Sequence, residues 1–238
     1  MAGAMNAAAN NTAVGKSAMA AVTTGDSNVG IGKESLLALT TGSTNTVLGT
    51  AAGDDLETGS ANVIIGTSAG AATEDISNSV IIGRNAMVDG VATDVANGTV
   101  AIGYNALSVL TTGSENTVIG YQAGISLQTA DKCTVLGYNA LDAAAGALND
   151  ANTAIGYDSL GQAQISSGGN VGRNTALGTQ SGDGLVAGYH NIMIGYNAQI
   201  GDAAGSNQTA IGYNVAGVDT DNSVTLGNAD VDAVYMAQ

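Results

Sequence analysis

A short motif of the form Asn-[Ser/Thr]-[Val/Ala]-aliphatic-Gly recurs along the whole chain, in strings such as NTAVG, NTVLG, NVIIG, NTVIG, NTAIG and NTALG. Its glycines stand at positions 15, 32, 49, 66, 83, 103, 120, 137, 156, 178, 195, 212 and 227. Eight of the twelve intervals equal the step from Gly15 to Gly32, a period of 17, and the others are 20, 19, 22 and 15. A period of this length means that one small unit, unable to bury its own apolar face, is stacked on copies of itself. The repeat leaves no room for a linker, so residues 1–238 read as a single repeat domain of about 13 rungs.

The residue before each motif glycine is aliphatic in all 13 copies, and the residue two places earlier is always β-branched. Alternation of this kind marks a short strand, whose alternate residues share one face. The strict aliphatic column, Ile65, Ile82, Ile102 and Ile119 among its members, is expected to face the interior. The variable residue between, as in Val47, Ile64, Ile81, Val118, Val135 and Met193, is then expected to face outward as an apolar stripe. The glycine supplies a positive φ or a close backbone approach at the strand's end. Three residues on, a small residue such as Ala18, Ser35 or Ala52 reads as a corner or second short strand passing the core. A further glycine ten residues after the motif, as at Gly25, Gly42 and Gly59, reads as a turn. Stretches such as Ser35–Leu39 and Ala140–Leu148 have helix-forming residues, but so short a period leaves little room for a helix. The expected fold is therefore all-β, a parallel β-solenoid with rungs about 4.8 Å apart. Asn11, Asn28, Asn45, Asn62, Asn116, Asn152, Asn174 and Asn191 share one column, where stacked amides can bond up and down the axis.

Composition agrees with a thin, regular interior. The chain has 35 Gly, no Pro, no Trp and no Phe, so small aliphatics must do the burying that aromatic rings usually do. Twenty acidic residues against five basic ones give a formal net charge of −15. That argues against phosphate-driven nucleic-acid binding and against an anionic bilayer as partner. No apolar run reaches the roughly 18 residues a membrane helix needs. Cys133 is the only cysteine, so no intrachain disulfide can form, and a small buried side chain is its expected role. No signal peptide is visible at the start, and Ala4-Met5 looks like the middle of a later repeat, which is expected of a fragment of a longer protein.

The strings NSVIIG, GTVAIGYNA, NTVIGYQAG, NTAIGY and NSVTLG resemble the head repeats of YadA-type trimeric autotransporter adhesins, and still more the related arrays of bacteriophage tail fibres. The tail NSVTLGNADVDAVYMAQ is similar to the stretch that precedes a cleavable C-terminal trimerising chaperone in such fibres. The resemblance covers nearly the whole chain. It implies a left-handed β-roll, a homotrimer, an extracellular place on a virion fibre or bacterial surface, and a role in host attachment. The YadA-type repeat is usually shorter than this one, so the loops here are longer and the handedness and trimer packing are open to differ.

Catalytic chemistry is scarce. His190 is the sole histidine, and Ser181 and Asp183 near it lie in a Gly-rich loop, so neither a nucleophilic triad nor a His-rich zinc site is expected. Hexapeptide-repeat acyltransferases share an aliphatic-Gly motif but return it three times in each coil, against one motif per rung here. No cofactor is expected. Asp54-Asp55, Asp219/Asp221 and Asp230/Asp232 offer oxygen ligands for calcium, yet scattered Asp is more often a solvated surface. Tyr104, Tyr121, Tyr138, Tyr157, Tyr196 and Tyr213 directly follow motif glycines and should stack as a surface ladder. That ladder is either a packing strip or a contact surface for a host glycan or protein receptor. The sequence thus supports a structural shaft or head segment, with a lateral glycan- or receptor-binding module as the alternative. An ice-binding solenoid is a weaker alternative, because the threonine column three before the glycine is assigned inward.

Overall fold

A computed structural model describes residues 8–90, 92–93, 96–143, 150–162 and 171–231. Ala4, Met5, Asp232 and most of the 140–148 stretch lie outside the described residues. Thirteen three-residue strands, from Thr12–Val14 to Val224–Leu226, pair in parallel and in chain order into one sheet, which makes twelve turns of a β-solenoid. Equivalent motif residues pair throughout, as in Val47↔Ile64↔Ile81. A second, two-stranded parallel pair, Val171–Gly172 with Gly188–Tyr189, lies off this sheet. Among the described residues there is no α-helix, and no helix long and apolar enough to cross a membrane.

Each rung turns tightly because several residues adopt left-handed backbone angles. After the glycine, positions two and four have positive φ, as at Glu34 (60°) and Leu36 (51°). A left-handed residue interrupts a right-handed helix, so Ser35–Leu39 bends into successive turns although its residues favour helix. The expected second strand is absent there, but the corner is real: Ala18, Ser35, Ala52 and Ala69 are all buried. The strained angles persist because the backbone N–H groups bond to neighbouring rungs. Leu36 N donates to Ala52 O at 3.1 Å and Glu34 N to Lys16 O at 2.8 Å. The motif glycines do both things asked of them. Gly120 has φ +147°, and a Cβ there would collide with the carbonyl oxygen of Gly137 on the next rung.

The structure corrects the expected facing of the strands. The middle residue points inward: Val47, Ile64, Ile81, Val118, Val135 and Met193 are completely buried. The strict aliphatic column points outward, with Ile65, Ile82, Ile102 and Ile119 half-buried and Leu48 and Leu136 exposed by 47% and 45%. The threonines three before the glycine share that outer face, so they too are outward.

Packing across the rung explains why the inner column varies. The interior is a few side chains wide, and the strand's middle residue meets the fourth residue after a glycine. Where the strand offers Gly30, Met19 fills the space, its Cε 2.9 Å from where a Cβ would stand. Where the turn offers Gly53 or Gly70, Ile64 and Ile81 extend their Cδ1 atoms to 3.2 Å from the corresponding points. Gly182 is matched by Met193 in the same way, with Cε and Sδ at 3.0 Å. Large is set against small, which is how a narrow core reaches native density.

The asparagine column forms the expected ladder, and it is internal. Asn28, Asn45, Asn62, Asn116, Asn152, Asn174 and Asn191 are buried. Asn45 donates from Nδ2 to Asn28 Oδ1 (3.0 Å) and to the Gly59 carbonyl (2.9 Å). Its own Oδ1 accepts from the Asn62 backbone N–H and Nδ2, both at 3.0 Å. A buried amide on a strand edge is thereby satisfied rung by rung.

Candidate interaction surface

Two features of the outer surface stand out against an acidic, polar background. The first is the outer face of the sheet. Its two columns, Thr/Val/Ile and Val/Ile/Leu, run unbroken over 13 strands, a stripe of roughly 58 Å from twelve rung steps. With about 7 Å between the columns, it covers on the order of 400 Å², near the size at which an apolar patch on a soluble chain signals contact. The threonine column lies on this face, so the inward placement that argued against ice binding does not hold. The face is nevertheless no flat hydroxyl array, because every strand also carries a Val, Ile or Leu beside it.

The second feature is the tyrosine column. Tyr104, Tyr121, Tyr138 and Tyr157 form one continuous stack, with ring centroids 5.1, 4.9 and 5.5 Å apart and planes within 20° of parallel. Tyr196 and Tyr213 form a second stack at 5.4 Å. Tyr104 is half-buried and carries the Arg84 guanidinium 5.9 Å from its ring centre, and the other five are exposed. The ladder is therefore interrupted once, at Thr179, between Tyr157 and Tyr196.

Beside that interruption a cavity of about 330 Å³ is lined by Asn139, Asp142, Asp158, Gln162, Gln180 and Asp183. Asp183 is anchored: its carboxylate accepts from Gln162 N and Nε2, each at 3.1 Å. Partial burial, reinforced by the charges of Asp158 and Asp183, pushes the Asp142 carboxyl up to about 6. Burial also raises Asp183, with Asp158 adding to the effect. Raised acids favour the folded state when protonated. The stabilisation is fully present below the unfolded carboxyl range near pH 4 and is lost as pH rises through about 6. Thermal unfolding of the parent should therefore show a midpoint falling between about pH 4 and pH 6.5, and Asp142→Asn should flatten that slope. A parent and variant with superimposable pH profiles would refute the assignment.

The remaining candidates resolve plainly. Ser181 is buried and donates to the Met193 carbonyl at 2.7 Å, while His190 is exposed and packs edge-on to Tyr189 at 5.2 Å. Serine and histidine therefore do not converge with Asp183. Cys133 takes the ladder asparagine's place and is buried, and burial pushes its thiol up to about 11, so it stays protonated at neutral pH. Asp221 accepts from Ser206 N at 2.7 Å, Asp54 is half-buried with its carboxyl raised by burial, and Asp219 is exposed. Among the described residues, no three His, Cys, Asp or Glu side chains gather as a metal-ligand set. Sequence reasoning found the tyrosines, expected an outward apolar stripe but placed it on the wrong column of the strand, and missed the cleft. The cleft's residues come from three rungs joined by irregular intervals, and only the stacking brings them together. No family model, curated protein or solved structure matches this chain.

Proposed function

We propose that this chain is a structural segment of an extracellular fibre, a shaft or head of the phage tail-fibre or trimeric-adhesin kind, built as a homotrimer of left-handed coils and serving host attachment. The observation that carries the reading is the outward aliphatic column. A lone solenoid has no internal use for 13 consecutive Val, Ile or Leu side chains on its solvent face. Three copies closing parallel about a long axis would cover the stripe with its own equivalents, rung against rung. The motif strings, similar to adhesin-head and tail-fibre repeats, support the same reading.

Sedimentation equilibrium tests it. The fragment should run as a trimer at micromolar concentration. Ile119→Asp with Leu136→Asp should yield monomers that keep the parent's circular dichroism, because both side chains face outward. A parent that is fully folded and monomeric at that concentration would overturn the assembly.

A further inference from the structure

The break in the tyrosine ladder is a shaped opening. The backbone does not break with it. Gln180 N donates to Tyr157 O at 2.8 Å and Asn197 N to Thr179 O at 2.9 Å, so Tyr157, Thr179 and Tyr196 occupy consecutive rungs. Elsewhere in the ladder each rung step sets rings 4.9 to 5.5 Å apart. Across two steps the Tyr157 and Tyr196 rings stand about 10 Å apart, with Thr179 as the floor between them. Allowing for the thickness of the rings, the opening is roughly 6.5 Å. That is loose for a flat aromatic ring and close to the thickness of a pyranose chair.

The polar surroundings fit the same guest. The residue after each column member is Asp158, Gln180 and Asn197 in turn. Asp158 and Gln180 also line the cavity with Asp142 and Asp183, so opening and cavity share a wall. Carboxylate oxygens accept hydroxyl protons, and the Gln180 amide can both accept and donate. Two ring faces for C–H surfaces with acceptors at the side suit a sugar that is apolar above and below and hydroxylated at its rim. Three neighbouring carboxylates disfavour an anionic sugar.

We propose that the Tyr157–Thr179–Tyr196 opening, with Asp158 and Gln180 at its side, is a binding subsite for one neutral hexopyranose unit of a glycan. The subsite does not depend on the fibre reading, and the variants below leave the outward stripe intact, so the two fail separately.

The intact chain is titrated with methyl α-D-glucopyranoside, methyl α-D-mannopyranoside and methyl β-D-galactopyranoside. Binding is followed by saturation-transfer NMR and by tyrosine emission, which is unobscured because the chain has no Trp. At least one glycoside should bind. Thr179→Tyr completes the stack and should weaken that binding at least ~10-fold without lowering the melting temperature. Tyr196→Ala removes one exposed wall and should weaken it similarly, which keeps the test decisive should the larger residue disturb folding. Tyr121→Ala, inside the continuous stack, should bind as the parent does. No transfer to any of the three glycosides, or binding by Thr179→Tyr equal to the parent's, overturns the subsite. Arginine methyl ester binding where the glycosides do not would also overturn it, in favour of a cationic protein side chain.

Discussion

Ile81→Asp should unfold the middle of the solenoid, at a cost of about 4 kcal/mol or more, whereas Ile82→Asp, one residue along, should leave the chain folded. Ile81 is fully buried between Ile64 and Ala101 on the adjoining strands, and its Cδ1 reaches into the space that Gly70 leaves. A carboxylate there is cut off from bulk solvent among apolar side chains, and it opens a cavity as well. Ile82 lies on the outer face, half-buried, where a carboxylate keeps its hydration. Urea titrations followed by circular dichroism separate the two. Equal losses, or the larger loss at Ile82, would mean that the faces are assigned the wrong way round. Both variants should also be sedimented, since Ile82→Asp is expected to weaken assembly while sparing the fold.

Asn45→Leu is expected to cost about 3 kcal/mol, more than the same change at Asn116. The Asn45 side chain takes part in four hydrogen bonds, two donated and two accepted. Leucine would leave the Gly59 carbonyl and the Asn62 amide groups short of partners in a buried column, and stranded buried polar groups cost more than a made hydrogen bond gains. Asn116 donates from its side chain to the Ala130 carbonyl (2.7 Å) and accepts from Cys133 N (2.9 Å), with Thr99 and Cys133 rather than amides as its column neighbours. Each loss is read from thermal or urea unfolding against the parent. A larger loss at Asn116 would show that the amides do not act as a connected ladder.

Much of this is legible in the residues. The glycine spacing defines the rung, the alternating triplet defines the strand, and the recurrent Asn marks a ladder, although its internal position comes only from the structure. The facing of the strand is where sequence reasoning goes wrong, because strictness is a poor guide to burial here. The invariant Val/Ile/Leu column is the outer one, and the column that varies is the core. A signal for this is present in the sequence: Met19 goes with Gly30, Gly53 with Ile64, and Gly182 with Met193. Such exchanges of volume between two columns occur only where side chains share a confined space. A column on the outer face has no facing column inside the rung to exchange volume with. The tyrosine ladder is readable from position alone, but the meaning of Thr179 is not. Its significance depends on the rung spacing and on the fact that the long interval from Gly156 to Gly178 does not break the register.

That irregular interval has a wider consequence. Intervals as short as Gly212 to Gly227 and as long as Gly156 to Gly178 deliver their next strand to the same pairing position. The sheet thus behaves as a ruler whose graduations are hydrogen-bonded steps rather than residue counts. Side chains projecting from a column keep their axial spacing whatever length of chain separates them. The chain between strands can lengthen and diversify without disturbing what the ruled face presents. In this scaffold, the pattern of display and the length of the text that encodes it are free to change independently.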